Sequence, residues 1–87
     1  MARYSLSIKR SAARELEAVA QKGDRQRLVA RIESLGSNPR PPNCEKLAGY
    51  VDRYRVRQGD YRVVYTVDDA ERSVMIFKIG HRREVYR

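Results

Sequence analysis

Hydrophobic and polar positions follow three different spacings along the chain. In "RYSLSIK" Tyr4, Leu6 and Ile8 alternate with Ser5 and Ser7, a strict period of two that predicts a half-buried strand. In "SAARELEAVAQKG" the period changes. Ala12, Leu16, Val19 and Ala20 fall at helical spacing, Ser11 is placed to cap the start, and Gly23 to close the end. "DRQRLVARIESLG" repeats the plan with Asp24 as its cap. Leu28, Ile32 and Leu35 form its stripe, Val29 widens it, and Gly36 ends it. Two helices joined at "KGD" predict a helical hairpin.

"SNPRPPNCEKLAGY" reads as a loop, with three prolines. Its simplest role is a plain crossover back to a sheet, with Leu47 as its anchor in the core. Strands follow over about 51–58 and 61–67. "SVMIFKIG" is apolar at both parities, which predicts a central strand covered on two sides. The expected fold is α+β: an N-terminal strand, a helical hairpin, then a three-strand antiparallel unit in one small sheet with helices on one face. Residues 1–87 are expected to form one domain.

Gly59-Asp60 separates two strand-like runs, and glycine first in a two-residue loop marks a type II′ hairpin turn. The register then follows: Gln58 faces Tyr61, Arg57 faces Arg62, Val56 faces Val63, Arg55 faces Val64 and Tyr54 faces Tyr65. One face carries Tyr54, Val56, Tyr61, Val63, Tyr65 and Val67; the other carries Arg53, Arg55, Arg57, Arg62 and Thr66, with Val64 among them. The first face can be covered by the helices. The second cannot be buried, and opposed like charges such as Arg57 and Arg62 weaken a hairpin by some tenths of a kcal/mol. An anion bridging the guanidinium groups resolves that conflict.

Charge extends the same picture. There are 19 basic residues against 11 acidic, a net charge of +8, and 15 of the basic residues are arginine. Such a surface attracts nucleic acid, acidic lipid or an acidic protein. Arginine grips phosphate in two bonds and stacks on bases, which lysine does not. The single cysteine, Cys44, excludes an internal disulfide, and no Cys/His spacing points to a metal site. That usage fits a reducing, cytoplasmic setting. No stretch reads as a signal peptide or a membrane span. The tail "GHRREVYR" brings His81, Arg82, Arg83, Tyr86 and Arg87 just after the last strand. Histidine is the one side chain type here able to exchange a proton near neutral pH without help, and Tyr86 offers a ring to stack on a base.

The order of elements, with "LGSNPRPPNCEKLAGY", "YRVRQGDYRVVYTV" and "KIGHRREVYR", resembles the RelE/ParE superfamily of toxin–antitoxin toxins, on its RelE side, over nearly the whole chain. The resemblance implies a toxin that enters the ribosomal A site and cuts mRNA without metal or cofactor. The 2′-hydroxyl attacks the adjacent phosphate and leaves a 2′,3′-cyclic phosphate and a 5′-hydroxyl. By position, the family's paired basic strand residues correspond to Arg55 and Arg57, its arginine after the turn to Arg62, its arginine after the last strand's glycine to Arg82, and its terminal tyrosine to Tyr86. The best-known members carry lysines at the first two places. Arginine, with a pKa above ~12, holds its proton too tightly to be an ordinary base. His81 becomes the candidate base, with Glu84 and Asp60 behind it. The resulting catalytic set is Arg57, Arg62, His81, Arg82 and Tyr86; Arg53, Arg55, Arg83 and Arg87 would bind RNA. A cognate antitoxin is the implied protein partner. The alternative within the superfamily is a ParE-like DNA gyrase inhibitor without nuclease activity. A plain RNA-binding protein that never cleaves is the third reading.

Overall fold

The computed structural model describes residues 3–81. Seven elements follow in order: β1 (Ser5–Ile8), α1 (Arg10–Glu17), α2 (Lys22–Ser37), β2 (Glu45–Lys46), β3 (Arg53–Gln58), β4 (Tyr61–Asp68) and β5 (Ser73–His81). The five strands form one sheet in the order β1-β5-β4-β3-β2. The α+β class and the helical hairpin agree with the sequence; the sheet has one more strand than expected. β2 is two residues long, too short to leave a periodic signal. The sheet is mixed, because β1 pairs with β5 in parallel while the other pairs are antiparallel. A parallel pair needs a long crossover, and the helices lie within the connection between β1 and the rest of the sheet.

The helix boundaries differ from those predicted. Lys9 and Gln21 occupy the cap positions, and neither helix has a side-chain cap. Ser11 lies inside α1, and Gly23 and Asp24 lie in the first turn of α2. Arg25 spans the junction, its Nη1 donating to the Val19 carbonyl at 2.6 Å, where the chain leaves α1. Gly36 is within α2 and buried. A Cβ there would stand 3.2 Å from the Tyr4 carbonyl oxygen, and the Tyr4 N–H donates to the Gly36 carbonyl at 2.8 Å. The glycine therefore serves the close approach of β1 to the helix, not helix termination.

Ala12, Leu28, Ile32 and Leu35 from the helices meet Tyr54, Val56, Val63, Tyr65, Val67, Val74, Ile76 and Ile79 from the sheet in one core. Val29, expected in the stripe, is 40% exposed, since α2 turns it toward the rim. The helices cover one face of the sheet, although Val64 on the other face is also buried. Met75, on β5, is 44% exposed on the face away from the helices, so the expectation of cover on both sides of that strand fails. Cys44, not Leu47, is the loop residue packed against the core.

The loop is held by polar contacts. The fully buried Tyr65 donates its hydroxyl to the Pro39 carbonyl at 2.6 Å. Arg40 donates to the Tyr54 hydroxyl at 2.9 Å and makes two bonds to the Asp69 carboxylate, at 3.1 and 2.8 Å. Tyr4 adds its hydroxyl to Asp69 at 2.6 Å. Arg40, then Tyr4, hold the Asp69 carboxyl below the ordinary carboxylate range.

Candidate nucleic-acid interface

The β3–β4 hairpin adopts the register expected from its sequence, from Arg53 opposite Thr66 to Gln58 opposite Tyr61. Gly59 has φ of +62°, and Asp60 is not among the residues with positive φ. Positive φ at the first turn residue only is the signature of type II′. Tyr54, Val56, Val63, Tyr65 and Val67 are buried under the helices, with Tyr61 packed at their margin. Parity sends Arg53, Arg55, Arg57, Arg62, Val64 and Thr66 to the opposite face, which no helix covers.

The four guanidinium groups are not equivalent. Arg57 donates Nε to the Gly59 carbonyl at 2.9 Å and so braces its own turn. Its cross-strand partner is Arg62. The Arg62 Nε is buried and has no hydrogen-bond partner among the described residues. Gly80 of β5 lies opposite Arg62 on the other side, so no side chain there competes for the guanidinium. Arg55 is paired with Glu45 of β2, which accepts from its Nε at 3.2 Å and also from its Nη2. The Arg55 guanidinium lowers the Glu45 pKa. Hairpin parity shows no carboxylate on this face, because Glu45 arrives from β2, outside the hairpin. Arg53 has a second buried, unpartnered Nε. Its guanidinium carbon lies 4.1 Å from the centroid of the Tyr50 ring and 4.3 Å from that of Phe77.

His81 is at the same end of the sheet as Arg57 and Arg62 but at the other parity. It pairs with Tyr61, and the two rings meet edge-on with centroids 5.7 Å apart. Glu15, Ala18, Val19, Tyr61, Ile79, Gly80 and His81 line a cavity of about 420 Å³ on the helix side. Glu15 accepts from the Ile79 N–H at 2.8 Å and from Lys78 Nζ at 3.0 Å, sealing β5 beyond the end of β1. The hairpin therefore brings Arg57 and Arg62 together, with Arg55 and Arg53 further along the face, and puts His81 around the tip. Arg82, Arg83, Tyr86 and Arg87, and Glu84 with them, lie outside the described residues. Among the described residues no group of His, Cys, Asp and Glu side chains is arranged to hold a metal ion, and no helix is long and apolar enough to cross a membrane.

A family model described as the ParE toxin of the type II toxin–antitoxin system parDE matches residues 6–86. Toxin RelE of Mycobacterium tuberculosis (strain ATCC 25618 / H37Rv) is 33% identical over 87 residues, covering 97% of this chain and 87% of that protein. Toxin RelG of the same organism is 37% identical over 46 residues, 53% of this chain and 49% of that protein; the chain spans about half the length of that relative. Among solved structures, a chain of the archaeal RelE–RelB complex from Pyrococcus horikoshii OT3 has a TM-score of 0.81 at 30% identity, covering 94% of this chain and 97% of that one.

Proposed function

The chain belongs to the RelE/ParE superfamily of type II toxin–antitoxin toxins, and from that premise we propose that it is a ribosome-dependent endoribonuclease that cleaves mRNA in the cytoplasm and stops translation. The observation that carries this reading is the Arg57–Arg62 pair on a face that no helix covers, with the Arg62 Nε buried and unpartnered among the described residues. Two opposed cations are unfavourable in an empty site and favourable around a phosphate.

Phosphoryl transfer depends on in-line geometry and charge stabilisation. The RNA 2′-oxygen attacks the adjacent phosphorus, the P–O5′ bond breaks, and a 2′,3′-cyclic phosphate and a 5′-hydroxyl result. Arg57, Arg62 and Arg82 are assigned to the non-bridging oxygens, Arg55 to the RNA backbone, and Tyr86 to alignment of a base. His81 is assigned the proton of the 2′-hydroxyl, reached around the tip of the sheet, since its parity differs from that of Arg62.

The second proposed partner is a cognate antitoxin. The similar Pyrococcus chain comes from a RelE–RelB complex. An acidic segment folding onto this surface would gain charge pairing and apolar burial. A groove of about 240 Å³, lined by Leu6, Ile8, Leu16, Val29, Ile32 and Ile76 among others, supplies apolar surface.

Mapping 5′ ends on mRNA after brief expression tests the reading. New 5′-hydroxyl ends within translated codons are expected. Intact mRNA with broken DNA would replace the reading with gyrase inhibition. In single-turnover cleavage, Arg62→Ala should lose ~10²–10³ in rate, the usual cost of one donor to developing charge. A wild-type rate for Arg62→Ala would remove that residue from the site, and a flat pH profile unchanged in His81→Ala would move the proton role elsewhere.

A further inference from the structure

The open face carries a second constellation, at the opposite end of β3 from the turn. Arg53 lies between two aromatic rings, Tyr50 and Phe77. Its side chain crosses β4 above Thr66, its cross-strand neighbour, to reach β5. Lys9 approaches the same Phe77 ring, with its Nζ 4.4 Å from the centroid. Arg53 makes ring contacts while its buried Nε has no hydrogen-bond partner among the described residues.

Phe77 reaches this face through an irregularity. Along the β4–β5 ladder Tyr65 pairs with Ile76, but Val64 pairs with Lys78, so Phe77 is an extra residue. Ile76 and Ile79 both stay in the core with two residues between them; Phe77 turns to the open side, and the Lys78 ammonium ends on Glu15 of α1. Tyr50, by contrast, is held on one side only. It is 52% exposed with Arg53 against one ring face, and Val51 beside it is 79% exposed.

We propose that Tyr50 is a nucleobase-stacking platform, its orientation fixed by the Arg53–Phe77 stack, which receives an unpaired base of the RNA whose phosphate sits at Arg57 and Arg62. Single-stranded nucleic acid is bound where aromatic rings alternate with cations along a face, because every base has a π surface and every linkage a negative charge. Here the rings are Tyr50, from the loop before β3, and Phe77 of β5, and the cations are Lys9, just after β1, with Arg53 of β3 and Arg62 of β4. At ~3.3 Å per residue, Arg53 is ~13 Å along β3 from Arg57, so the stacked base belongs to a nucleotide flanking the cleaved one. Fixing the ring beforehand reduces the ordering cost of binding. An acidic protein segment would satisfy the cations but has no need of an exposed ring face. This assignment rests on the RNA-cleaving reading and adds a subsite to it.

The test is equilibrium binding of single-stranded oligoribonucleotides that carry 2-aminopurine at successive positions. Wild type should quench the fluorescence at one flanking position. Tyr50→Leu, which keeps apolar area but removes the ring, should lose that quench and bind ~10- to 100-fold more weakly. Tyr50→Phe should behave as wild type. An oligonucleotide abasic at the quenched position should erase the difference between wild type and Tyr50→Leu. Equal affinity and equal quench for wild type and Tyr50→Leu would overturn the platform while leaving RNA binding intact. The parent reading falls only if no new 5′-hydroxyl ends appear on translated mRNA, whereas failure of wild type to bind any oligonucleotide would overturn the platform. Weakened binding of an acidic peptide by Tyr50→Leu, with RNA binding unchanged, would give the ring to a protein partner and also overturn it.

Discussion

Tyr65 shows how a single polar atom organises this protein. It is the largest fully buried side chain, and burial pushes its phenol well above the ordinary tyrosine value. Its hydroxyl is therefore a permanent donor to the Pro39 carbonyl. Tyr65→Phe leaves that carbonyl unpaired and should cost about 1–3 kcal/mol, read as a lower urea midpoint with an unchanged m-value. Asp69 acts through its charge. Its folded pKa lies below the ordinary value, so its contribution is fully present above the ordinary carboxylate range and is lost as pH falls through the folded value. Asp69→Asn should be less stable than wild type at pH ~6, and in urea titrations the difference should close as pH falls through the folded value of Asp69. At this scale the sequence was legible by parity: alternation alone assigned each hairpin residue to its face. It could not tell which cations had partners. Glu45, Tyr50 and Phe77 reach the arginines from other segments, and only the apolar run at both parities in "SVMIFKIG" hinted that β5 serves two faces.

Among the elements, the hairpin was the most readable because its turn chemistry fixes its register. Gly59 has positive φ with open space where a Cβ would go, so the objection to a side chain is conformational and not steric. Gly59→Ala should destabilise by about 1–2 kcal/mol and should weaken RNA binding, because the turn sets the spacing of Arg57 and Arg62. The helices were less readable. Glycine at Gly36 costs a helix ~1 kcal/mol relative to alanine, which is why it read as a terminator; the approach of Tyr4 outweighs that cost. β2 carries its own consequence. Glu45 occupies the guanidinium that RNA would use at Arg55. Glu45→Gln should release it and tighten binding of single-stranded RNA about two- to fivefold, the scale of one exposed ion pair. Filter binding or anisotropy at fixed salt would show it, and no change would mean that Arg55 does not meet the RNA.

At the scale of the molecule, the two faces of one sheet divide the work. The helices take one face and supply stability. The other carries the cations, and binding there should respond to salt. If three or four phosphates are neutralised, the logarithm of the affinity for single-stranded RNA should fall with the logarithm of salt concentration at a slope of about −2 to −3. A slope near zero would leave no part for the arginine face. The division into faces was legible in the alternation of valine and tyrosine with arginine. The parallel placement of β1 beside β5 was not, because hydrophobic alternation reports which side of a strand is buried and is silent on which strand lies next to it.

The surplus residue in β5 invites an experiment in subtraction. Without Phe77 the strand would alternate without interruption: Ile76 would still oppose Tyr65, Lys78 would still oppose Val64, and Ile79 would still reach the core. Backbone pairing has nothing to lose from the deletion and one interruption to shed. A chain one residue shorter would keep the ladder and lose the ring that Lys9 and Arg53 pack against. The extra residue shows itself on the open face alone, which makes β5 a strand whose length, more than its composition, sets what that face presents.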